Sequence, residues 1–196
     1  IRPAETVLEV GVGTGIHAKW LLEINADKNF NFLGCDLSPE MLKEASNKIG
    51  SFPGVRLFNC RAESLPLESQ SVNKAYISGS LHHFGDRRKS AEELVRVVAS
   101  GGIIVISEPN IFNPLNFISV LINIKTEAGQ FHTHLFGLKK VFRGLPIEII
   151  GKKFFNATPP VPLWASGIFD KIDKLVEALP IVRNLCSMNL IAVKRI

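Results

Sequence analysis

The sequence predicts an α/β fold, a parallel sheet with helices on both faces, and three observations predict it. Apolar runs rich in β-branched residues recur five times before residue 110, and helix-period patterns separate them. A glycine-rich bend, "GVGTG" at 11–15, joins the first run to the first helical pattern. With 196 residues, 46% hydrophobic and 21% charged, the chain suits one domain with a real core.

Strands are expected at "TVLEVG" (6–11), "NFLGCDL" (31–37), "VRLFNC" (55–60), "VNKAYISG" (72–79) and "GIIVISEP" (102–109). Over 16–24, Ile16, Trp20, Leu21 and Ile24 fall at helix spacing. In "SPEMLKEASNKIG", Ser38 is the expected N-cap, Pro39 the first helical residue and Gly50 the stop. Residues 88–99 repeat apolar Ala91, Leu94, Val95 and Val98 at helix spacing, whereas 61–71 is too short and Pro-broken for a full helix. After 109 the rhythm changes. "NIFNPLNFISVLINIKTEAGQFHTH" suits one or two helices folded over something, as in a lid or binding loop. A short helix over 137–143, a strand over 147–155, an amphipathic helix over 167–179 and a strand over 189–196 complete the chain.

The net charge of +5 arises from scattered basic residues and three short runs, Arg87-Arg88-Lys89, Lys139-Lys140 and Lys152-Lys153. No aromatic residues interleave with them, so they read as solvated surface and not as a nucleic-acid face. The longest apolar stretch, 115–124, is about half the ~20 residues of a membrane helix. Neither a signal peptide nor a spanning segment is expected. Beginning at Ile1, the chain reads as a fragment or a processed product. Cys35, Cys60 and Cys186 are widely spaced, without CxxC or zinc spacing, which favours a reducing cytoplasm. Asn156-Ala157-Thr158 matches a glycosylation sequon, read as chance.

A bend leaving a parallel strand and opening a helix is where open α/β sheets bind ligands. Gly11, Gly13 and Gly15 let a ligand lie against bare backbone. The dinucleotide fingerprint wants glycine at the first, third and sixth positions; here the sixth is Ile16. Glu9, two residues before the loop, would repel a pyrophosphate and tolerate a cationic ligand. Both features point to a cationic or neutral nucleoside.

"VLEVGVGTG" resembles motif I of class I S-adenosylmethionine-dependent methyltransferases, a hydrophobic strand followed by E/D-x-G-x-G-x-G. "FLGCDLSPEMLKEA" is similar to the family's second-strand motif, with Asp36 placed to take both ribose hydroxyls. "CRAESLPLESQSVNKAYISGSLHHF" resembles its "GDAExLPFxxxxFDxVxxxxxLHH" stretch, and "SAEELVRVVASGGIIVISEPN" its helix, PGG, strand, EP run. Two positions depart: Arg61 replaces the aspartate that contacts adenine, and Asn73-Lys74 replaces Phe-Asp. The small-molecule, ubiquinone-biosynthesis-like group is the nearest likeness.

The resemblance implies a Rossmann-like, doubly wound seven-stranded sheet, mostly parallel, with an antiparallel last strand and a hairpin of 147–155 and 189–196. It implies one methyltransferase domain over 1–196: a cofactor-binding half at 1–109, a lid or acceptor-binding insertion at 110–146, and a C-terminal strand pair with an inserted helix at 147–196. It implies S-adenosyl-L-methionine as cofactor, with adenine recognition resting on the backbone of 61–63, on Glu63, or on sandwiching by Leu37 and Ala62. Backbone carbonyls of Gly11 and Ser78 would hold the cofactor's ammonium.

A sulfonium is already activated, so the protein need only place the acceptor in line and exclude water. A base is needed if the acceptor is a hydroxyl or acidic carbon. His82 and His83 are the candidates for that role, beside Ser78 and Ser80. His132 and His134 are candidates for the acceptor pocket, and Glu108 and Asn110 for its polar groups. Trp164, Phe112, Phe117, Phe131 and Phe136 suggest a partly apolar acceptor. No metal is expected, because neither an HxxxH helix nor a partnered carboxylate cluster is evident. The sequence thus expects methyl transfer to a small-molecule acceptor. The rivals are a non-catalytic S-adenosylmethionine-binding module, an RNA methyltransferase and an NAD-dependent oxidoreductase.

Overall fold

The computed structural model describes residues 1–155, 171, 173–179 and 182–196. Seven strands form one sheet: β1 (Thr6–Val10), β2 (Asn31–Asp36), β3 (Val55–Asn59), β4 (Val72–Ser78), β5 (Val98–Pro109), β6 (Ile147–Phe155) and β7 (Met188–Arg195). Their order is β3-β2-β1-β4-β5-β7-β6. The first five run parallel, and β7 lies antiparallel to both β5 and β6. Strand order reverses between β1 and β4, and this switch point opens a crevice beyond the strands' carboxyl ends.

The helices begin where the sequence supplies caps. In α2 (Pro39–Ile49) the Ser38 hydroxyl accepts from the Met41 amide at 3.2 Å, and Pro39 opens the first turn. The Asp86 carboxylate caps α3 (Arg87–Val97) through the Lys89 amide at 2.9 Å. The helix stops at Val97, two residues short of the predicted end, because Val98 already pairs with Val72 in the sheet. No helix joins β3 to β4, as the Pro-broken connection predicted.

In α1 (Ile16–Glu23) the buried residues are Ala18 and Leu22, while Ile16, Trp20 and Ile24 are 50%, 61% and 76% exposed. The helix spacing is real, but the face it marks is not the core face. Val7, Val12, Ala18, Leu22, Phe32, Ala45 and Ile49 form the core layer under α1 and α2. Leu8, Val10, Ala75, Ile77, Leu94, Ile104 and Ile191 belong to the opposite layer, beneath α3. Burying such side chains at roughly 1.5–3 kcal/mol each drives the two layers together.

Beyond β5 the chain forms α4 (Pro114–Ile122), α5 (Ile124–Glu127), a 3-10 turn over Ala128–His132 and α6 (Leu135–Val141). Within the predicted helix at 167–179, residues 171 and 173–178 are helical; 167–170, the sequon at 156–158 and Trp164 lie outside the described residues. Among the described residues no helix is long and apolar enough to cross a membrane.

Candidate functional site

The glycine loop takes the left-handed conformations its composition allows, with φ of +76°, +54° and +78° at Gly11, Gly13 and Gly15. Their tasks differ. A Cβ on Gly11 would lie 2.3 Å from the Ser80 hydroxyl, so bare backbone there lets β1 and the segment after β4 converge. A Cβ on Gly13 would meet nothing within 4 Å, and the Gly13 amide donates to Asp36 Oδ2 at 2.8 Å. At Gly15 a Cβ would sit 3.1 Å from Ala45 Cα, so this glycine allows close packing of α1 on α2. The dinucleotide fingerprint uses the glycine at its sixth position to pack helix on strand; here the glycine at the fifth packs helix on helix, and Ile16 is half exposed.

A cleft of about 340 Å³ opens at the switch point. Of the predicted cofactor residues, Gly11, Asp36, Leu37, Ala62 and Glu63 line it, together with Ser80, His83 and Phe84. Asp36 Oδ1 accepts from the Ser38 amide at 2.9 Å and Oδ2 from Gly13, which fixes the carboxylate at the end of β2. A carboxylate offers about four lone-pair positions, so two remain for a diol. Burial pushes the Glu63 carboxyl up, but amide hydrogen bonds from Asp86 and its neighbours and the Arg61 charge hold it below the usual range. Arg61 Nε stands 3.5 Å from Glu63 Oε2. Arg61 thus serves the cleft wall through Glu63, where the family resemblance would place an acceptor for the adenine amino group.

Glu9, Gly13, Gly15 and Ser78 are not among the lining residues. Glu9 is fully buried, faces Tyr76 on the neighbouring strand and accepts from its hydroxyl at 2.8 Å through Oε2, leaving Oε1 without a partner among the described residues. Burial pushes its carboxyl up to about 8, with the Tyr76 hydrogen bond opposing and Asp36 adding to the rise. Asn73-Lys74 lies away from the cleft. Asn73 Oδ1 accepts from the Thr6 amide and Lys74 pairs with Glu5, so both tie β4 to the start of β1.

The two histidines separate in environment. His82 is buried, its Nδ1 2.6 Å from Glu108 Oε2 and its Nε2 3.2 Å from Glu127 Oε2. His83 is exposed and faces the cleft, its ring centroid 3.9 Å from that of His82. Desolvation and the neighbouring His82 hold its imidazole below the usual value, against the opposing pull of Glu127 and Glu108. Glu108 Oε1 accepts from the Ser80 and Leu81 amides at 3.0 and 2.8 Å, so the end of β5 orients the segment carrying both histidines. Glu108 was expected as a pocket group; it is buried and works through His82. Asn110, expected beside it, instead donates to the carbonyls of Asn184 and Cys186, joining the end of β5 to the chain entering β7. Nothing in the sequence singled out Glu127, a lone acid in the helical segment after β5, or Phe84.

A second cleft, of about 860 Å³, adjoins the first at Gly85. His132 and His134 both line it, with Phe131, Phe136, Arg87 and Arg143. His134 Nδ1 is buried without a hydrogen-bond partner among the described residues.

The profile of a family described as a methyltransferase domain matches residues 8–106, half of the chain. A ubiquinone/menaquinone biosynthesis C-methyltransferase from Campylobacter jejuni is 35% identical over 105 residues, 52% of this chain and 43% of that protein. The demethylmenaquinone methyltransferase of Paenarthrobacter aurescens is 31% identical over 108 residues, 55% of this chain and 40% of that protein. The chain therefore covers less than half the length of these curated relatives. Among solved structures, the Haloferax volcanii complex of the Trm112 methyltransferase activator with a methyltransferase matches with a TM-score of 0.72 at 18% identity, covering 100% of this chain and 84% of that one. An S-adenosylmethionine-dependent methyltransferase from Mesorhizobium loti gives a TM-score of 0.67 at 15% identity, over 98% of this chain and 92% of that one. At such identities these structures speak to the fold, which is the seven-stranded sheet described above.

Proposed function

We propose, from the premise that this chain belongs to the class I S-adenosylmethionine-dependent methyltransferases, that it methylates a small-molecule acceptor with an apolar part. The acceptor atom is a hydroxyl oxygen, an acidic carbon or an amine. One observation carries the reading: the ribose-type carboxylate of Asp36 and the imidazole of His83 line the same switch-point cleft.

The residues present fit the cofactor. Gly11 presents backbone without a Cβ, Asp36 keeps lone pairs for two ribose hydroxyls, and Leu37 and Ala62 offer apolar surface to a base. Glu63 supplies the remaining cleft carboxylate, and Ser78 ends the strand next to it. Glu9, Gly13 and Gly15 act from beneath, shaping the loop. When bound, S-adenosylmethionine supplies a methyl group on a sulfonium, needing no acid catalyst. This chain's own residues hold the ligand, exclude water and orient the acceptor, an arrangement worth up to ~7–11 kcal/mol in favourable cases.

His82 and His83 are the catalytic pair of this reading. His83 faces the cleft, and His82 is braced by Glu108 from behind. The 110–146 segment is the acceptor-binding part. Phe112, Leu115, Ile118 and Ile122 stand exposed on it, and the cleft of His132 and His134 leads into the first. These features support an apolar body on the acceptor. The curated relatives named above are a ubiquinone/menaquinone biosynthesis C-methyltransferase and a demethylmenaquinone methyltransferase, which agrees with that reading. Three free cysteines suit a cytoplasmic setting.

Transfer of labelled methyl from S-adenosylmethionine to a panel of quinols, phenols, sugars and amines tests the proposal. A product whose formation is lost in Asp36→Ala and in His83→Ala supports it. Tight S-adenosylhomocysteine binding with no acceptor methylated would favour the non-catalytic module instead.

A further inference from the structure

Glu108 fixes the proton of His82. Its Oε1 already accepts two backbone amides, and its Oε2 lies 2.6 Å from His82 Nδ1, so Nδ1 carries hydrogen and donates. A neutral imidazole then has its lone pair on Nε2, and that lone pair meets a second carboxylate, Glu127 Oε2, at 3.2 Å. Both are then acceptors, and either a proton on Nε2 or a cation held between the two atoms satisfies the pair. Glu127 is itself held in place, accepting from Gln130 Nε2 at 2.6 Å through the same oxygen.

We propose that His82, His83 and Glu127 form a binding site for one divalent transition-metal cation, zinc by the chemistry of its donors, which holds the acceptor oxygen beside the cofactor cleft. Among the described residues, one ligand atom from each of the three lies within 4.8 Å of the others. With metal–ligand bonds of about 2.0–2.2 Å and near-tetrahedral angles, neighbouring donors stand about 3.2–3.5 Å apart, and the Nε2 to Oε2 separation falls at that spacing. Two imidazoles and a carboxylate with a fourth position open is the donor set of a catalytic zinc site. Glu108 supplies the carboxylate that donor histidines use to fix their tautomer and strengthen their basicity. His82 is buried, Glu127 is partly exposed and His83 lines the cofactor cleft, so of the three donors His83 is the one that would join the cation to that cleft.

The inference deepens the assignment of His82 and His83 as the catalytic pair and rests on that reading for the acceptor's part; cation binding itself is measured without turnover. In the transfer step the acceptor O–H proton leaves to solvent through the open mouth of the cleft. The oxygen forms the new O–CH3 bond as the S–CH3 bond breaks, and the electron pair stays on the departing thioether sulfur. A cation held by His82, His83 and Glu127 would supply charge that lowers the cost of the first event by stabilising the oxygen's negative charge.

Calorimetric titration of the chelator-stripped chain with zinc chloride tests this, with S-adenosylhomocysteine titrated into the same samples. The expected result is saturable one-to-one binding of zinc. It should weaken in Glu127→Gln and His83→Ala, and by roughly ten- to a hundredfold in Glu108→Gln. His132→Ala should leave zinc affinity unchanged, and S-adenosylhomocysteine binding should persist in Glu127→Gln and Glu108→Gln, which also shows that these are folded; circular dichroism shows it for His83→Ala, whose ring lines the cofactor cleft. Absence of saturable zinc binding would overturn the proposal, as would one-to-one binding that Glu127→Gln and His83→Ala leave intact. Loss of S-adenosylhomocysteine binding in the unmutated chain would instead refute the cofactor reading.

Discussion

Replacing Glu9 by Gln should remove a pH dependence of stability that this one buried group imposes. Its carboxyl is fully buried with a single hydrogen-bond donor, and burial raises its pKa from 4.5 to about 8. Between those values the folded chain keeps a proton that the unfolded chain has released. The folded state is therefore fully favoured by this group only below about pH 4.5, and stability falls as pH rises towards 8. Each pH unit in that window removes about 1.4 kcal/mol, so roughly 2.7 kcal/mol is lost between about pH 5.5 and pH 7.5, and about 5 kcal/mol across the whole shift. Glu9→Gln does not titrate. Urea unfolding of both proteins across this range should show curves that diverge, with the variant gaining relative stability as pH rises. Tyr76→Phe removes the donor that opposes the shift and should extend the loss to higher pH. Parallel curves for the parent and Glu9→Gln would refute the reasoning.

Other substitutions probe the site and its supports. At a concentration about 100 times its dissociation constant, S-adenosylhomocysteine should stabilise the parent by ~2.7 kcal/mol in thermal unfolding, and Asp36→Ala should abolish that gain. Gly11→Ala, whose Cβ would meet Ser80 Oγ at 2.3 Å, should cost about 1–3 kcal/mol in chemical denaturation. Gly13→Ala meets open space and should cost only the left-handed backbone penalty of about 1–2 kcal/mol; the reverse order of the two would contradict the loop geometry. Asn110→Ala leaves the carbonyls of Asn184 and Cys186 without their donor and should cost about 1–3 kcal/mol, read as a lower urea midpoint.

The sheet was legible because its signals are local. β-branched runs between glycine and polar breaks marked every strand, and β6 begins and ends where the 147–155 pattern does. The walls of the switch-point cleft were legible for a similar reason: Gly11, Asp36, Ala62 and Glu63 sit at the ends of strands or just past them, where topology alone places them at the switch point. What escaped depends on long-range packing. The periodicity of Ile16, Trp20 and Ile24 showed a helix face without showing that Ala18 and Leu22, small and intermediate side chains, would be the ones pressed on the sheet. Glu9 reads as a ligand-facing acid in sequence, but strand alternation turns it towards Tyr76. Glu127 lies 45 residues from His82 and on a helix of four residues, so no spacing rule could pair them. The second cleft stayed hidden in the sequence because Arg87 and Arg88 meet residues of 131–143 there only in three dimensions.

The central claim is that the switch-point cleft is built for a sulfur-bearing nucleoside and not for a dinucleotide. Isothermal titration of the chain with S-adenosylhomocysteine and, separately, with NAD tests it most directly. Saturable one-to-one binding of S-adenosylhomocysteine that Asp36→Ala removes is expected, with no saturable heat from NAD. Binding of NAD without binding of S-adenosylhomocysteine would contradict it.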